Sequence, residues 1–233
     1  MTISRLDEPK LLTDQVYAVI HQAIINGELP AGSRLKVRDL AAQVGTSVMP
    51  VREAIRRLEE AGLAERVPHK GAVVKGLTLE ELVHVYDVRR LLEGEAARLG
   101  AQRITPEECD KMQAAYHKMR AAISERDVNG YLDQDENLLA TLYAAGGNPV
   151  LINLIRTMWE HCRAYKIVGA QGPLEAVSDD SLWRHQEALV AAARGQDEVT
   201  AESVTEASLL EASDRIKAML AAQKAQKAAQ DEA

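Results

Sequence analysis

Two arginines one helical turn apart, Arg52 and Arg56, lie in the run Val48-Met49-Pro50-Val51-Arg52-Glu53-Ala54-Ile55-Arg56. In a helix, residues four apart share a face. A guanidinium held there can donate two bonds to guanine O6 and N7, or pair with a phosphate. Val51, Ala54, Ile55 and Leu58 form an apolar stripe on another face, which predicts that the arginines point away from the core. Ser47, Val48 and Met49 fall at the N-terminal end of that helix. Arg38 begins the preceding helical stretch, where a phosphate contact is expected. Lys70 and Gly71 fall at the tip of a predicted hairpin, which can enter a minor groove. The competing reading is a solvated face, with Arg52, Arg56 and Arg57 bonded to Glu53, Glu59 and Glu60.

The elements that must hold these residues are legible in the pattern. Val16, Val19, Ile20, Ala23 and Ile24 predict a helix over 14–26, capped by Thr13 and stopped by Asn26-Gly27. Leu29–Leu35 reads as a turn and a short extended piece. Val37, Leu40, Ala41 and Val44 predict a second helix ending at Gly45, and a third spans 48–61 with Gly62 at its end. The strand-like runs 63–67 and 72–74 are joined by the turn Pro68-His69-Lys70-Gly71. Helix, helix, turn, helix, hairpin is the order of a winged helix-turn-helix.

Beyond Gly76 the pattern becomes purely helical. Thr78-x-x-Glu81 is a capping box, and Thr105-Pro106-Glu107-Glu108 opens another helix with proline in its first turn. Further helices are predicted at 128–144, 149–168, 178–194 and 198–222, with Gly146–Pro149 and Gly169–Pro173 as breakers. The fold class is therefore mainly α: an N-terminal winged helix-turn-helix over 1–76 and a C-terminal all-α bundle of about six helices over 77–222. The first dozen residues are expected to be loose. Residues 223–233, with no apolar stripe, read as a disordered tail.

Charge agrees with that division. The net charge of −7 splits into 11 Lys+Arg against 9 Asp+Glu in residues 1–76, and 17 against 26 in the remainder. A mildly basic head on an acidic body suits a protein that meets a polyanion at one end. No apolar run approaches the ~20 residues needed to span a bilayer, and MTISRLDEPK has no hydrophobic signal core, so no membrane partner and a cytoplasmic location are expected. Cys109 and Cys162 form no paired motif and read as buried small hydrophobes. No nucleophile motif, phosphate loop or complete metal set points to an enzyme.

The segments Leu29-Pro-Ala-Gly-Ser-Arg-Leu, Leu40-Ala, Gly45 and Pro50-Val-Arg-Glu-Ala-Ile-Arg-Arg-Leu to Gly62-Leu63 resemble the GntR-type repressors. Val88-Arg-Arg-Leu-Leu-Glu93 and Gly147-Asn148-Pro149 resemble the FCD effector domain of the FadR-like branch. The resemblance covers roughly residues 12–222. It implies a homodimer that binds double-stranded DNA at a short inverted repeat through Arg38, Ser47, Val48, Met49, Arg52 and the Lys70-Gly71 wing. Relatives often carry a polar residue where this chain has Val48, which can touch a thymine methyl but cannot donate to guanine.

The resemblance also implies a sensing site. Many FCD domains hold a divalent metal, zinc or nickel, with one Asp and three His. The matching positions here are Asp135, Leu139, His185 and Ser208, so Asp135 and His185 are kept and two imidazoles are missing. Two protein ligands rarely hold a transition metal tightly. Asn137, His161 and Ser208 are the groups that could stand in for them. The rival is a metal-free pocket holding a small carboxylate-like effector. Arg89 leads there, since its counterpart lines the family's pocket and its fork suits a carboxylate. His185 and Asp135 follow, then Asn137, Arg163, His161 and Tyr165. Arg89 can equally pair with Glu93 one turn on.

Overall fold

The first amphipathic stretch forms α1 (Leu12–Ile25), which buries Val16, Ile20 and Ile24. The computed structural model describes residues 12–175 and 182–231. The expectations for residues 1–11 and 178–181 lie outside the described residues. Since α1 already includes Leu12, Thr13 lies inside it rather than at its cap. Val19, expected on the buried stripe, is exposed.

The chain divides at Gly76 into two units. In the first, α2 (Val37–Val44) ends at Gly45, whose φ of +70° is the left-handed conformation that glycine adopts without steric cost. α3 (Val48–Glu60) follows, burying Val51, Ala54, Ile55 and Leu58 as the periodicity requires. β1 (Ala64–Val67) and β2 (Gly71–Val74) pair antiparallel with Val67 opposite Gly71. The connecting loop is therefore Pro68-His69-Lys70, and Gly71 begins the second strand. Arg34 bridges to Val73, so the extended piece after α1 edges the hairpin. Leu35, Leu40, Val51, Leu58 and Val74 share one core with α1.

The second unit contains, among the described residues, six helices: α4 (Leu79–Arg103), α5 (Pro106–Glu125), α6 (Val128–Ala145), α7 (Pro149–Glu175), α8 (Arg184–Arg194) and α9 (Glu198–Asp231). Both predicted capping boxes are formed. Thr78 and Glu81 bond reciprocally at the start of α4, as do Thr105 and Glu108 at the start of α5, with Pro106 in the first turn. The core gathers Met112, Met119, Leu132, Leu138, Leu142 and Ile155. A second cluster joins Leu82, Tyr86, Cys162, Leu209 and Ile216.

Two expectations are corrected. α7 does not break at Gly169 but continues to Glu175. A helical glycine costs about 1 kcal/mol relative to alanine, and buried Ala170 and Leu174 anchor the helix beyond it. The tail from 223 is helical as far as Asp231. Its Ala, Gln and Lys residues are strong helix formers, and Lys224 pairs with Glu80 at 3.2 Å. No described helix is long and apolar enough to cross a membrane.

Candidate DNA interface and ligand cavity

The cations of the first unit sort into two sets. Arg57 bonds Asp14 on α1 at 2.6 Å and lies over the Tyr17 ring, so it ties α3 to α1. Arg66 pairs with Glu59 at 3.1 Å. Arg56 is held by Glu53 and Glu60 of its own helix. Its hydrogen bond to Glu53, then the charges of Glu53 and Glu60, hold its pKa further up. Arg56 is exposed, as expected for a residue facing DNA, and its donors are engaged by these two carboxylates. Arg52, Arg38 and Lys70 are exposed, and none has an ion-pair partner among the described residues.

Of these cations, Arg52 lies in α3 itself, four residues after Val48. Ser47 is its N-cap residue, yet the Ser47 side chain makes no capping bond. The first turn's N–H groups are therefore not answered from that position. Val48 and Met49 are 36% and 68% exposed. Apolar side chains left in solvent beside an arginine suit contact with a base methyl rather than the core of this unit. At the hairpin tip Gly71 takes φ +79° with open space where a Cβ would stand. Lys70 beside it is carried on a turn that lets backbone approach a partner closely.

In the second unit a cavity of about 240 Å³ is lined by residues of α4, α6, α7, α8 and α9. That volume is just below the roughly 300–1,000 Å³ of small-molecule pockets, so a guest must be small. Four of the chain's six tyrosines, Tyr86, Tyr131, Tyr143 and Tyr165, line it. Burial first, then the Glu93 carboxylate for Tyr143 and the Asp135 carboxylate for Tyr131, push both hydroxyls well up, so both remain protonated donors.

Arg89 is a cavity wall, 3% exposed. Its Nε donates to Glu93 Oε1 at 2.6 Å, the pairing its spacing allowed. Glu93 also accepts from Tyr143 Oη at 3.2 Å and Trp159 Nε1 at 2.9 Å. Arg89 Nη1, by contrast, is buried with no partner among the described residues. A buried unsatisfied donor costs free energy unless a ligand or water accepts from it.

Asp135 and His185 line the same cavity, as do Leu139 and Ser208. Asp135 is engaged on both oxygens: Lys166 Nζ lies 3.1 Å from Oδ2, and Gln186 Nε2 donates to Oδ1 at 2.7 Å. Burial lowers the Lys166 pKa, but the Asp135 and Glu136 carboxylates more than offset this, so the net shift is upward and the amine is charged. His185 Nε2 lies 3.2 Å from Glu211 Oε2 but out of line for a hydrogen bond. No group of three or more His, Cys, Asp or Glu that could hold a metal occurs among the described residues. A divalent ion does not fit this donor set, because an ammonium already neutralises the carboxylate that would bind it.

Three residues expected in the cavity, Asn137, Arg163 and His161, do not line it. Asn137, two residues and so about half a turn from Asp135, lines a separate shallow groove with Lys111, Lys118 and Arg156. Arg163 is buried against α6, paired with Asp133 and with Glu136 at 3.1 Å, and does not line the cavity. Lys166, Gln186 and Arg215 do line it; Lys166 and Gln186 had no local signal, because their partner Asp135 is 31 and 51 residues away in sequence. The i, i+4 spacing of Arg89 and Glu93 was such a signal.

Comparison with known proteins gives two family matches. Residues 12–74 match "Bacterial regulatory proteins, gntR family" and residues 84–211 match "FCD domain". The chain is 26% identical over 189 residues to the HTH-type transcriptional regulator McbR of Escherichia coli (strain K12), covering 80% of this chain and 84% of McbR. It is 25% identical over 138 residues to the HTH-type transcriptional repressor RspR of the same strain, spanning 59% of this chain and 60% of that relative. It is 42% identical over 90 residues to the probable D-xylose utilization operon transcriptional repressor of Paenarthrobacter nicotinovorans, covering 39% and 40% of the two chains. The solved structure of E. coli McbR/YncC superposes with a TM-score of 0.75 at 24% identity, over 90% of this chain and 98% of that one, which establishes the shared fold. These relatives are transcription regulators, not enzymes.

Proposed function

Since the chain belongs to the GntR family of bacterial regulatory proteins, a DNA-binding transcription regulator with an FCD domain, we propose that it is a cytoplasmic homodimeric repressor released from its operator by a small hydroxylated organic acid. The observation that carries the ligand class is the buried Arg89 Nη1, a donor without a partner on a cavity wall. A carboxylate supplies the missing acceptor and the opposing charge. Gln186 lines the same cavity, and its Oε1 is a buried acceptor without a donor among the described residues. A ligand hydroxyl supplies that donor.

For DNA, Arg52 and the exposed Val48-Met49 pair read base edges in the major groove, while Arg38, Ser47 and the Lys70-Gly71 wing contact the backbone and minor groove. Two-fold symmetry then selects an inverted repeat. Val88 and Leu91, exposed on α4, give a second copy apolar surface to cover. The effector acts by binding one dimer arrangement more tightly than the other. A cavity lined by Arg89 and His185 favours this reading over an architectural DNA binder with a filled bundle.

The test is a thermal-shift comparison of paired acids, such as lactate with propionate, followed by operator release in the presence of the better binder. Stabilisation by a hydroxy acid that vanishes in Arg89→Met, itself checked for folding by circular dichroism, supports the reading. Equal indifference to every small acid tested overturns the ligand class.

A further inference from the structure

We propose that Lys166 is a built-in cation that takes the place of a divalent metal in the FCD cavity, making this site independent of metal. Three observations carry this. The four positions that the resemblance matches to a metal site, Asp135, Leu139, His185 and Ser208, all line one cavity. Lys166 Nζ stands 3.1 Å from Asp135 Oδ2 and 3.6 Å from Glu136 Oε1. The other Asp135 oxygen takes the Gln186 amide at 2.7 Å.

The physics is a matter of who neutralises a buried carboxylate. Asp135 is 4% exposed, and a buried charge must be paired. A bound metal can provide that pairing. Here the ammonium provides it, and an ammonium has three donors and no lone pair. A metal at ~2.0–2.2 Å from the Asp135 oxygen would meet the positive charge of Nζ at close range. With the ammonium in place, further ligands have nothing to hold, which accounts for Leu139 and Ser208 at the two positions without an imidazole. The ammonium also presents a donor rather than an open coordination position, so a guest must offer it an acceptor.

This deepens the effector-site reading above, but its test needs no organic ligand, so the two can fail separately. Zn²⁺ alone is titrated calorimetrically into the full-length protein and into two variants whose fold is checked by circular dichroism. The first variant is Leu139→His with Ser208→His, which completes one carboxylate and three imidazoles. The second adds Lys166→Met. The expected result is no stoichiometric Zn²⁺ in the wild type, and at least ~100-fold tighter binding in the triple variant than in the double one. Equal affinity in the two variants, or no Zn²⁺ binding in either, overturns the proposal. So does stoichiometric, chelator-removable Zn²⁺ in the wild type. If the multiple variants do not fold, Lys166→Met alone decides: millimolar Zn²⁺ raises its melting temperature and leaves the wild type's unchanged, and the absence of that difference contradicts the account.

Discussion

Arg52 and Arg56 share a helix face and a residue type, yet their surroundings differ. Arg56 is bound by Glu53 and Glu60, whereas Arg52 has no ion-pair partner among the described residues. Replacing Arg56 by alanine is expected to change operator affinity no more than about threefold, because exposed pairs on a helix contribute well under 1 kcal/mol. An anisotropy titration checks this. Glu93 is the opposite case, a buried carboxylate accepting from Arg89, Tyr143 and Trp159. Glu93→Ala leaves a buried guanidinium uncompensated and is expected to destabilise the second unit by about 3–5 kcal/mol in urea unfolding. The Arg89–Glu93 pair could be read from its spacing. Lys166 against Asp135 could not, since only the packing of α7 on α6 brings residues 31 apart in sequence together.

Among the elements, local chemistry was the reliable guide. Glycine at 45 and the two capping boxes marked helix ends where they occur, because each satisfies orphan backbone groups within a few residues. Local signals failed where tertiary contacts outweigh them. Gly169 reads as a breaker, but the helix continues because Ala170 and Leu174 are buried beyond it. The tail beyond 222 is a different case: it has no apolar stripe, and a second local signal, its helix propensity, sustains α9 to Asp231. One glycine marks a packing requirement: a Cβ on Gly100 would lie 2.1 Å from the Leu142 carbonyl oxygen, so α4 and α6 meet there backbone to backbone. Gly100→Ala is expected to lower stability by at least about 1–3 kcal/mol through forced separation of the helices. Thermal unfolding of the variant reads the effect, and an unchanged midpoint would contradict so close an approach.

At the scale of the molecule, the division of charge reconciles a net charge of −7 with the proposed DNA partner: the excess acid lies in the second unit, whereas Arg38, Arg52 and Lys70 of the first are exposed. The winged helix and the helical bundle were both legible from periodicity, and the cavity positions followed from the family resemblance, whereas the chemistry inside the cavity required the fold. Binding should weaken steeply with salt through release of counterions, and Lys70→Ala should reduce the slope of log K against log[salt] by about 1 per subunit if Lys70 meets a phosphate. An unchanged slope would remove the wing from the interface. The central claim is that the exposed face of α3 reads DNA. It is tested most directly by titrating wild type and Arg52→Ala against a labelled fragment of the protein's own promoter at fixed salt, with melting temperatures measured alongside. The account predicts an unchanged melting temperature and a loss of affinity of about 1–3 kcal/mol, roughly ten- to a hundredfold; a folded variant that binds as tightly as wild type would contradict it.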